Sequence, residues 1–535
     1  MSRQLLFKKL RKIASKELHQ SAGLRSEQAQ ETQFSRREFL IQSGIVATSL
    51  SSNVSFAKLL KPKASTPNTI IVGAGIAGLV AAHRLIARGT QVKIYEADHR
   101  LGGRILTQKN FNSEGMFCEL GGELIDSSQR SILGLCEELK VPIEDFTESD
   151  LGFSKVYYSQ GKIRSEAEVQ LAAKPLLKIM MEDLKWLYVN GRFQTPTYRS
   201  KVSPQVAALD KMSLVEYLQS KKDRVESWLL DLVQEAYESE FGVTAGLQSA
   251  LNLLVLFDLN PEQSFKMYGD SDESKRVVGG NSHLIAALER KVHSKASIEL
   301  GHRLVKIAEK GSALEFTFVT SGKTKTVKAE RAILAVPFSV LREVEGIKEL
   351  NLNPAKKRSI AELGYGTDSK LIMGFTEKFW RKQNGEVPPS CGTMFGDFPT
   401  QCFWETSRLQ KGNHGILTAL FGGEKGLNPN PNILETTLGD LEKIYPGSSK
   451  LFDGKKSFVP WPKLPFAKGS YSTPTVGQYT SVMGVAGEDE LNGRLLFAGE
   501  HCSVQKQGYM DGAVESGNKV AELFFEGRAR VVSGR

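Results

Sequence analysis

A glycine-rich loop between an apolar run and a helix-forming segment constrains the fold of this chain more than any other feature. Residues 68–72 (Asn-Thr-Ile-Ile-Val) read as a short buried strand and lead directly into residues 73–78 (Gly-Ala-Gly-Ile-Ala-Gly). Residues 79–88 then favour a helix. A strand, a glycine-rich loop and a helix in this order predict a loop that holds the phosphates of a dinucleotide at a helix N-terminus.

Each glycine of the loop has a separate predicted role. Gly73 permits the tight turn, Gly75 allows the backbone to approach a pyrophosphate, and Gly78 lets the helix pack closely on the strand. Residues 91–95 supply a second strand that ends at Glu96, an acid placed to bind a ribose hydroxyl. These residues predict a dinucleotide-binding βαβ unit.

Composition narrows the class of protein. The 535 residues are 40% hydrophobic, so the chain can bury a large core, and its length favours two domains. Residues 1–57 hold nine Lys/Arg and four Glu, a net charge of +5, which is half of the formal charge of +10 of the whole chain. The rest of the chain therefore has an ordinary charge balance, and we expect no nucleic-acid partner. Five cysteines without a CxxC pattern predict neither a disulfide framework nor a metal site, and leave open one bridge in an oxidising compartment.

The first 57 residues have the pattern of a targeting signal. Residues 35–40 (Ser-Arg-Arg-Glu-Phe-Leu) precede a mildly apolar stretch and the small-residue site Ser55-Phe56-Ala57, a pattern that resembles a twin-arginine signal peptide. It predicts export of the folded protein by the twin-arginine machinery to the periplasm or another extracytoplasmic space. An Arg-Arg pair on a surface helix is the alternative, and the sequence leaves open whether the signal is cleaved.

Further motifs point to FAD. Residues 97–104 (Ala-Asp-His-Arg-Leu-Gly-Gly-Arg) resemble the second signature of two-domain flavoproteins, in which Arg104 pairs with phosphate. Beyond them, an ordered series of segments resembles the flavin-containing amine oxidase superfamily, which includes monoamine, polyamine and L-amino-acid oxidases. The segments are residues 119–126, 278–284, 302–307, 331–337, 495–500 and 508–517.

The resemblance implies a noncovalent FAD site. Glu500 would hold the ribityl chain, Val305 would lie beside the adenine, and the helix opening near Met510 would point at the pyrimidine edge. Ser470 stands where some relatives attach flavin to a cysteine, and Cys502 reads as a small buried residue. The cofactor-binding residues implied are Gly73, Gly75, Ile76, Ala77, Gly78, Glu96, Gly103, Arg104, Gly121, Gly122, Glu123, Val305, Glu500 and Met510.

The catalytic residues implied by the resemblance are Lys370, Tyr471 and Tyr509. Hydride can leave the alpha carbon only when the amine is neutral, and a dry aromatic pocket favours the neutral form. Tyr471 and Tyr509 resemble the pair that sandwiches the substrate. Lys370 resembles the lysine that holds a water on the flavin and favours reoxidation by dioxygen, giving peroxide; the imine product would then be hydrolysed.

The predicted fold class is α/β, with a discontinuous Rossmann-like FAD-binding domain interleaved with an α+β substrate domain. We place the FAD-binding domain at residues 66–126, 276–345 and 485–527, and the substrate domain at residues 127–275 and 346–484. Within the latter, apolar spacing predicts a helix over residues 175–187 with Pro175 in its first turn.

The sequence leaves the substrate open. A small amine is the first interpretation and an L-amino acid the second, although Leu124 stands where some L-amino-acid oxidases carry an arginine. Arg130 or another basic residue could replace that arginine, and Glu123 could attract a second ammonium or be structural. A flavoprotein desaturase and a noncatalytic FAD-binding protein are the alternatives of other classes.

Overall fold

The computed structural model describes residues 68–257 and 264–532, and the predicted signal peptide lies outside them. The described strands are, in chain order, β1 (Thr69–Val72), β2 (Val92–Tyr95), β3 (Thr107–Gln108), β4 (Cys118–Glu119), β5 (Ile143–Asp145), β6 (Ser154–Ser159), β7 (Lys162–Arg164), β8 (Tyr188–Val189), β9 (Arg192–Phe193), β10 (Lys275–Val277), β11 (Ser297–Glu299), β12 (Arg303–Lys310), β13 (Ala313–Thr320), β14 (Lys323–Ala329), β15 (Arg331–Leu334), β16 (Ser369–Phe375), β17 (Ser390–Gly396), β18 (Cys402–Glu405), β19 (Gly415–Phe421), β20 (Phe452–Pro460) and β21 (Leu495–Phe497).

The described α-helices are, in chain order, α1 (Ile76–Ala87), α2 (Arg130–Leu139), α3 (Glu166–Leu184), α4 (Pro204–Lys211), α5 (Leu214–Gln219), α6 (Ser227–Phe241), α7 (Leu251–Leu254), α8 (Ser282–His293), α9 (Phe338–Leu341), α10 (Pro354–Glu362), α11 (Gly423–Leu427), α12 (Ile433–Ile444), α13 (Gln478–Ser481) and α14 (Met510–Val532). Among these helices, none combines the length and the apolar character needed to cross a membrane.

A five-stranded parallel sheet carries the nucleotide loop. Its strand order is β11-β2-β1-β15-β21, and each neighbouring pair is parallel. All four residues of β1 are buried, because layers on both faces cover the sheet and leave no polar side for alternation. Helix α1 connects β1 to β2, so the predicted βαβ unit is present and its loop lies at the carboxyl edge of the sheet.

Alternate side chains of the parallel sheet enter two different cores. Ile71, Ile94 and Leu496 pack with residues of α1 and α14. Val72 and Phe497 face the opposite core, which the three-stranded sheet β12-β13-β14 covers. Because the side-chain period of a strand is two, this division fixes the register of every strand in the sheet.

A seven-stranded sheet of order β20-β16-β19-β18-β17-β6-β7 forms the second part of the fold. Its neighbouring pairs are antiparallel except for the parallel pair of β17 and β6. Helices α3 to α7 form a core that also includes Phe395 of β17 and Cys402 of β18. A parallel sheet with helices beside a mixed sheet agrees with the predicted α/β class, while the predicted domain boundaries stay a prediction.

The predicted helix over residues 175–187 has the correct buried spacing and the wrong start. Helix α3 begins at Glu166 because Ser165 and Glu168 form a reciprocal capping box. Pro175 therefore lies inside the helix, on its exposed side, where the lost backbone hydrogen bond is open to water. The helix ends at Leu184, and a 3-10 turn over Lys185–Leu187 follows.

Candidate active site

A cavity of about 710 Å³ begins at the carboxyl edge of the parallel sheet and continues into the second part of the fold. Most residues predicted for the site line it: Gly73, Gly75, Ile76, Ala77, Glu96, Gly103, Arg104, Gly121, Gly122, Glu123, Lys370, Tyr471, Glu500, Tyr509 and Met510. Gly78 and Val305 are the two that do not. The fold thus brings together residues separated by more than 400 positions.

The three loop glycines meet different surroundings. A Cβ on Gly73 would lie 2.4 Å from the carbonyl oxygen of Ala335, and one on Gly78 would lie 2.1 Å from the oxygen of Gly73. A Cβ on Gly75 would meet only the Cα of Gly103, at 4.0 Å. Protein packing thus requires the outer two glycines, whereas Gly75 keeps space free in the cavity, as a dinucleotide pyrophosphate demands. No side chain caps α1, so its first N–H groups are available to an anion.

Glu96 closes the first turn of this site. Its Oε2 accepts a hydrogen bond from the N–H of Ala74 at 2.6 Å, and its Oε1 accepts one from the N–H of Asp98 at 2.8 Å. Burial raises the pKa of Glu96 above its ordinary value. Each carboxylate oxygen accepts one bond and retains a further lone pair, which suits the donation of two ribose hydroxyls.

Val305, which was predicted to lie beside the adenine, does not line the cavity. The pairing of β12 with β13 shifts register between Leu304 and Lys306, which leaves Val305 in a bulge where its carbonyl accepts from the N–H of Glu345. Val305 is therefore absent from the cavity lining, and Leu304 and His302 line it instead.

Arg104 and Glu500 form an ion pair at the centre of the cavity wall. Nη1 of Arg104 donates to Oε1 of Glu500 and to the carbonyl of Ser470, each at 2.9 Å. Glu500 also accepts bonds from Ser472 N, Ser472 Oγ and Gly508 N at 2.6–3.0 Å. Burial alone would raise the pKa of Glu500, but the charge of Arg104 and these donors hold it below its ordinary value. The carboxylate therefore fixes three chain segments, and its predicted ribityl contact stays a prediction.

The Gly121-Gly122 turn approaches α14 closely. A Cβ on Gly121 would lie 1.9 Å from the carbonyl oxygen of Arg104, and one on Gly122 would lie 3.0 Å from Sδ of Met510. Met510 begins α14, whose N-terminal end therefore lies at the cavity, where its dipole favours negative charge. These positions suit a planar ring with a polar edge.

Lys370 is buried on β16 beside this turn. Its Nζ donates to the carbonyl oxygens of Gly121 at 2.8 Å and Glu119 at 3.1 Å, and lies 3.4 Å from Oε2 of Glu123. The ammonium is also 5.0 Å from the ring centroid of Trp404. The fold therefore places a desolvated positive charge directly behind the turn.

Glu123 is occupied by structural partners. Its Oε1 accepts from Thr406 Oγ1 at 2.9 Å and lies 3.4 Å from Nη1 of the fully buried Arg276. Its Oε2 accepts from Nε1 of Trp404 at 3.0 Å, in addition to the contact with Lys370. Of the two roles left open for Glu123, the geometry favours the structural one, because its oxygens already have four donors.

The two predicted cage tyrosines meet at Glu240, the penultimate residue of α6. Tyr471 Oη donates to the carbonyl of Glu240 at 2.6 Å, and Tyr509 Oη donates to its side-chain Oε1 at 3.4 Å. Burial raises the pKa of both tyrosines well above the ordinary value, so both are neutral phenols. Phe241, Tyr268 and other aromatic residues line the cavity around them, so this end is largely apolar.

Three carboxylates that sequence reasoning missed line the same part of the cavity: Glu240, Glu273 and Asp368. Asp368 Oδ2 accepts from Ser470 Oγ at 2.5 Å, while its Oδ1 has no hydrogen-bond partner in the described part of the chain. Burial raises the pKa of Asp368 and of Glu273 to about 7. Only Asp368 had a signal in the sequence, since it stands two residues before Lys370.

The basic residues proposed for a substrate carboxylate are placed elsewhere. Arg130 is exposed at the start of α2 and does not line the cavity, although Leu124 does. Three described arginines line the cavity: Arg100, Arg104 and Arg303. Arg104 is paired with Glu500, and the other two are close in sequence to Glu96 and His302, which also line the cavity.

All five cysteines are buried and free, so the disulfide left open by the sequence is not formed in this structure. Cys502 is outside the cavity lining, where its thiol donates to the carbonyl of Ala486 at 3.5 Å. Burial raises the pKa of this thiol to about 12.

Comparison with known proteins identifies the class of this site. The chain is 27% identical to lysine-specific histone demethylase 1 homolog 1 of Arabidopsis thaliana, covering 90% of this chain and 55% of that protein. It is 24% identical to polyamine oxidase 3 of Oryza sativa subsp. japonica, over 90% of this chain and 93% of that protein. It is 23% identical to an L-amino-acid oxidase of Echis ocellatus, over 86% of this chain and 89% of that protein.

Solved structures confirm the fold. Cyclohexylamine oxidase from Brevibacterium oxydans superposes with a TM-score of 0.73 at 18% identity, covering 87% of this chain and 100% of that one. A putrescine oxidase solved with bound putrescine gives a TM-score of 0.70 at 20% identity, covering 86% of this chain and 99% of that one. The model of the flavin containing amine oxidoreductases matches residues 76–523, most of the chain. This protein is therefore a flavin-dependent oxidoreductase that belongs to the flavin-containing amine oxidoreductase family.

Proposed function

We propose that this protein binds FAD noncovalently and oxidises the carbon-nitrogen bond of small amines, with dioxygen as the electron acceptor. The observation that carries the proposal is that Lys370 and the half-buried pair Tyr471 and Tyr509 line the same cavity as the glycine-rich loop. A cofactor held by the loop and a substrate held by the tyrosines would share one enclosed space.

The residues that would hold FAD follow the length of the cavity. The uncapped N-terminus of α1 and the space before Gly75 suit the pyrophosphate, and Glu96 suits the ribose. The turn at Gly121-Gly122 and the N-terminal end of α14 suit the ring. When bound, flavin accepts a hydride from the substrate and passes two electrons to dioxygen, which gives hydrogen peroxide.

Tyr471 and Tyr509 would select the reactive form of the amine. Their neutral rings and the aromatic residues around them exclude water, so a bound ammonium loses its hydration and gives up its proton more easily. The free lone pair then assists departure of hydride from the alpha carbon. Both hydroxyls are anchored on Glu240, which holds the rings in place.

Lys370 would stabilise negative charge beside the Gly121-Gly122 turn. Its ammonium is buried and bound to two carbonyl oxygens, so its charge acts at low dielectric. A positive charge at this position favours electron transfer to dioxygen, because superoxide and peroxide are anions.

Further features support the finer parts of the proposal. Ser470 occupies the position of the attaching cysteine and Cys502 is buried outside the cavity, which supports noncovalent attachment. The named activities of the relatives, polyamine oxidase and L-amino-acid oxidase, are both amine oxidations. An L-amino acid ranks second, because none of the described arginines that line the cavity lies free at its aromatic end.

A peroxide-coupled screen of amines, polyamines and L-amino acids on the purified protein tests this proposal. We expect a yellow protein that releases FAD on acid precipitation and forms peroxide with an amine. Protein that stays colourless after expression with ample flavin contradicts the cofactor assignment. A yellow protein that reduces its flavin with none of these compounds contradicts the reaction.

We also propose export by the twin-arginine route, on the basis of Arg36-Arg37, the apolar stretch after them and the site ending at Ala57. An exported folded protein can carry a cofactor acquired in the cytoplasm. Replacing both arginines with lysine should retain the full-length protein in the cytoplasm of a twin-arginine-competent bacterium. Unchanged export of that double variant contradicts the proposal.

A further inference from the structure

Glu240 presents a carboxylate from the wall of the aromatic cage. Its backbone carbonyl holds Tyr471 and its Oε1 accepts from Tyr509, so the side chain is directed to the space between the cage and the cavity interior. The residue is the penultimate one of α6, whose buried face packs in the helical core. This carboxylate is therefore part of the substrate end of the cavity and not of the nucleotide end.

Glu273 reaches the same cavity from a different segment. Its backbone has a φ of +47°, a left-handed conformation that costs free energy in a residue other than glycine. Asp126 stabilises this turn, because its Oδ1 accepts from the N–H of Glu273 at 2.9 Å and from Ser271 Oγ at 2.8 Å. Within the described residues, the carboxylate of Glu273 has no hydrogen bond or ion pair, although it lines the cavity.

Within the described residues, no Lys or Arg forms an ion pair with either of these two carboxylates. Glu240 lies in the fields of Glu273, Asp126 and Asp368, which with burial raise its pKa well above the ordinary value. Around Glu273, burial and the charges of Asp126 and Glu123 oppose ionisation, while Lys155 and Arg408 favour it. The buried Lys370 and Arg408 have other partners: Lys370 contacts Glu123, and Arg408 pairs with Asp150. Two carboxylates in one cavity repel each other, and a cation bound between them would relieve the repulsion.

We propose that Glu240 and Glu273 bind a second ammonium group of the substrate, so that this oxidase prefers diamines and polyamines to monoamines and L-amino acids. The inference rests on the proposed amine oxidation and names its substrate class. The reacting nitrogen lies neutral between Tyr471 and Tyr509, while the distal nitrogen stays protonated and pairs with the carboxylates. An L-amino acid would add a further carboxylate to this acidic part of the cavity and would bring no second ammonium to pair with the glutamates. Glu123, the residue first considered for this role, is excluded by its four structural donors.

The test compares 1,4-diaminobutane with n-butylamine on the FAD-loaded full chain, because the two molecules differ in the second ammonium. We expect kcat/KM for the diamine to exceed that for the monoamine by roughly 10- to 100-fold, the range of a charge-assisted contact in a desolvated site. Glu273→Gln should reduce this ratio toward unity, and Glu240→Gln should reduce it as well.

Asp272→Asn is the matched control for charge removal in the same loop. Asp272 is exposed and its carboxylate contacts Ser127 and Ser274 outside the cavity, so we expect this variant to retain the wild-type ratio. The flavin spectrum and the thermal unfolding midpoint check that each variant is folded. A wild-type ratio near one, or a Glu273→Gln variant that keeps the wild-type ratio, overturns the inference.

Anaerobic binding separates this inference from the proposed reaction. For an amine that reduces the flavin, the dissociation constant comes from the dependence of the anaerobic reduction rate on amine concentration in rapid mixing; for an amine that does not, it comes from perturbation of the oxidised flavin spectrum. Tighter binding of the diamine without peroxide formation supports the second-ammonium site and contradicts the oxidase proposal. Equal binding of the two molecules with peroxide formation contradicts the site and leaves the oxidase proposal standing.

Discussion

Gly75→Ala should weaken the binding of FAD while leaving the stability of the apoprotein almost unchanged. The backbone of Gly75 has φ −66° and ψ 173°, which alanine adopts freely, and the new Cβ would lie 4.0 Å from the nearest protein atom. Alanine restricts the unfolded chain but is a poorer helix N-cap than glycine, and these effects are each about 1 kcal/mol or less and opposite in sign. The free energy of unfolding of the apoprotein should therefore change by less than about 1 kcal/mol.

The same methyl group would occupy the space proposed for the pyrophosphate. Losing one or two charge-assisted hydrogen bonds between the phosphate and the first turn of α1 costs about 3 kcal/mol, or roughly 100-fold in the dissociation constant of FAD. Titration of apoprotein with FAD, followed by quenching of flavin fluorescence, gives this constant. Urea unfolding of the apoprotein gives the stability.

Gly73→Ala, two residues earlier in the loop, is the control. Its Cβ would lie 2.4 Å from a backbone oxygen, and its φ of +102° is unfavourable for alanine, so the apoprotein should lose at least about 2 kcal/mol of stability. If Gly75→Ala binds FAD as tightly as the wild type, the assigned position of the pyrophosphate is wrong. If Gly75→Ala destabilises the apoprotein as much as Gly73→Ala does, the inference that the protein leaves open space beside Gly75 is wrong.

Three further predictions follow from the buried charges. Lys370→Met should slow flavin reoxidation by dioxygen more than flavin reduction by substrate in rapid-mixing experiments; equal slowing of both steps would contradict its role. Asp368→Asn removes a carboxyl whose folded pKa of about 7 lies above its ordinary 3.8, so wild-type apoprotein loses stability from pH 4 to 7 through this group. The variant should lack that slope, gaining relative stability by up to about 1.4 kcal/mol per pH unit in urea unfolding, and parallel curves would refute the assignment. Glu123→Gln leaves the buried Lys370 and Arg276 without their shared carboxylate and should cost about 3–5 kcal/mol of unfolding free energy, whereas Glu144→Gln, at the less buried end of Arg276, should cost less.

Local sequence rules were sufficient where the chemistry depends on neighbouring residues. The βαβ unit lies where it was predicted, because short-range periodicity and glycine positions determine it. Pro175 misled the helix prediction because Ser165 and Glu168, ten and seven residues earlier, supply a stronger start signal. The bulge in β12 that keeps Val305 out of the cavity lining could not be predicted from alternation alone, and its role beside the adenine stays a prediction.

The acidic end of the cavity was not predictable from the sequence. Glu240 lies in the last turn of an otherwise ordinary helix, and Glu273 lies in a loop among other acids, so neither has a motif. Their function depends on α6, the Asp126 turn and the tyrosine segments meeting in space, and these segments are distant in the chain. Arg276 and Trp404, which saturate Glu123, were missed for the same reason.

The contacts of Glu123 have a mechanical consequence. This one carboxylate connects the cofactor turn to Lys370 on β16, to Arg276 on β10 and to Trp404 on β18, all of them buried or half-buried. Opening the two parts of the fold as a hinge would expose and separate these charges, at a cost of several kcal/mol. Substrates must therefore enter through movements of side chains and loops around a rigid frame, and the rate of entry should depend on the width of the cavity mouth.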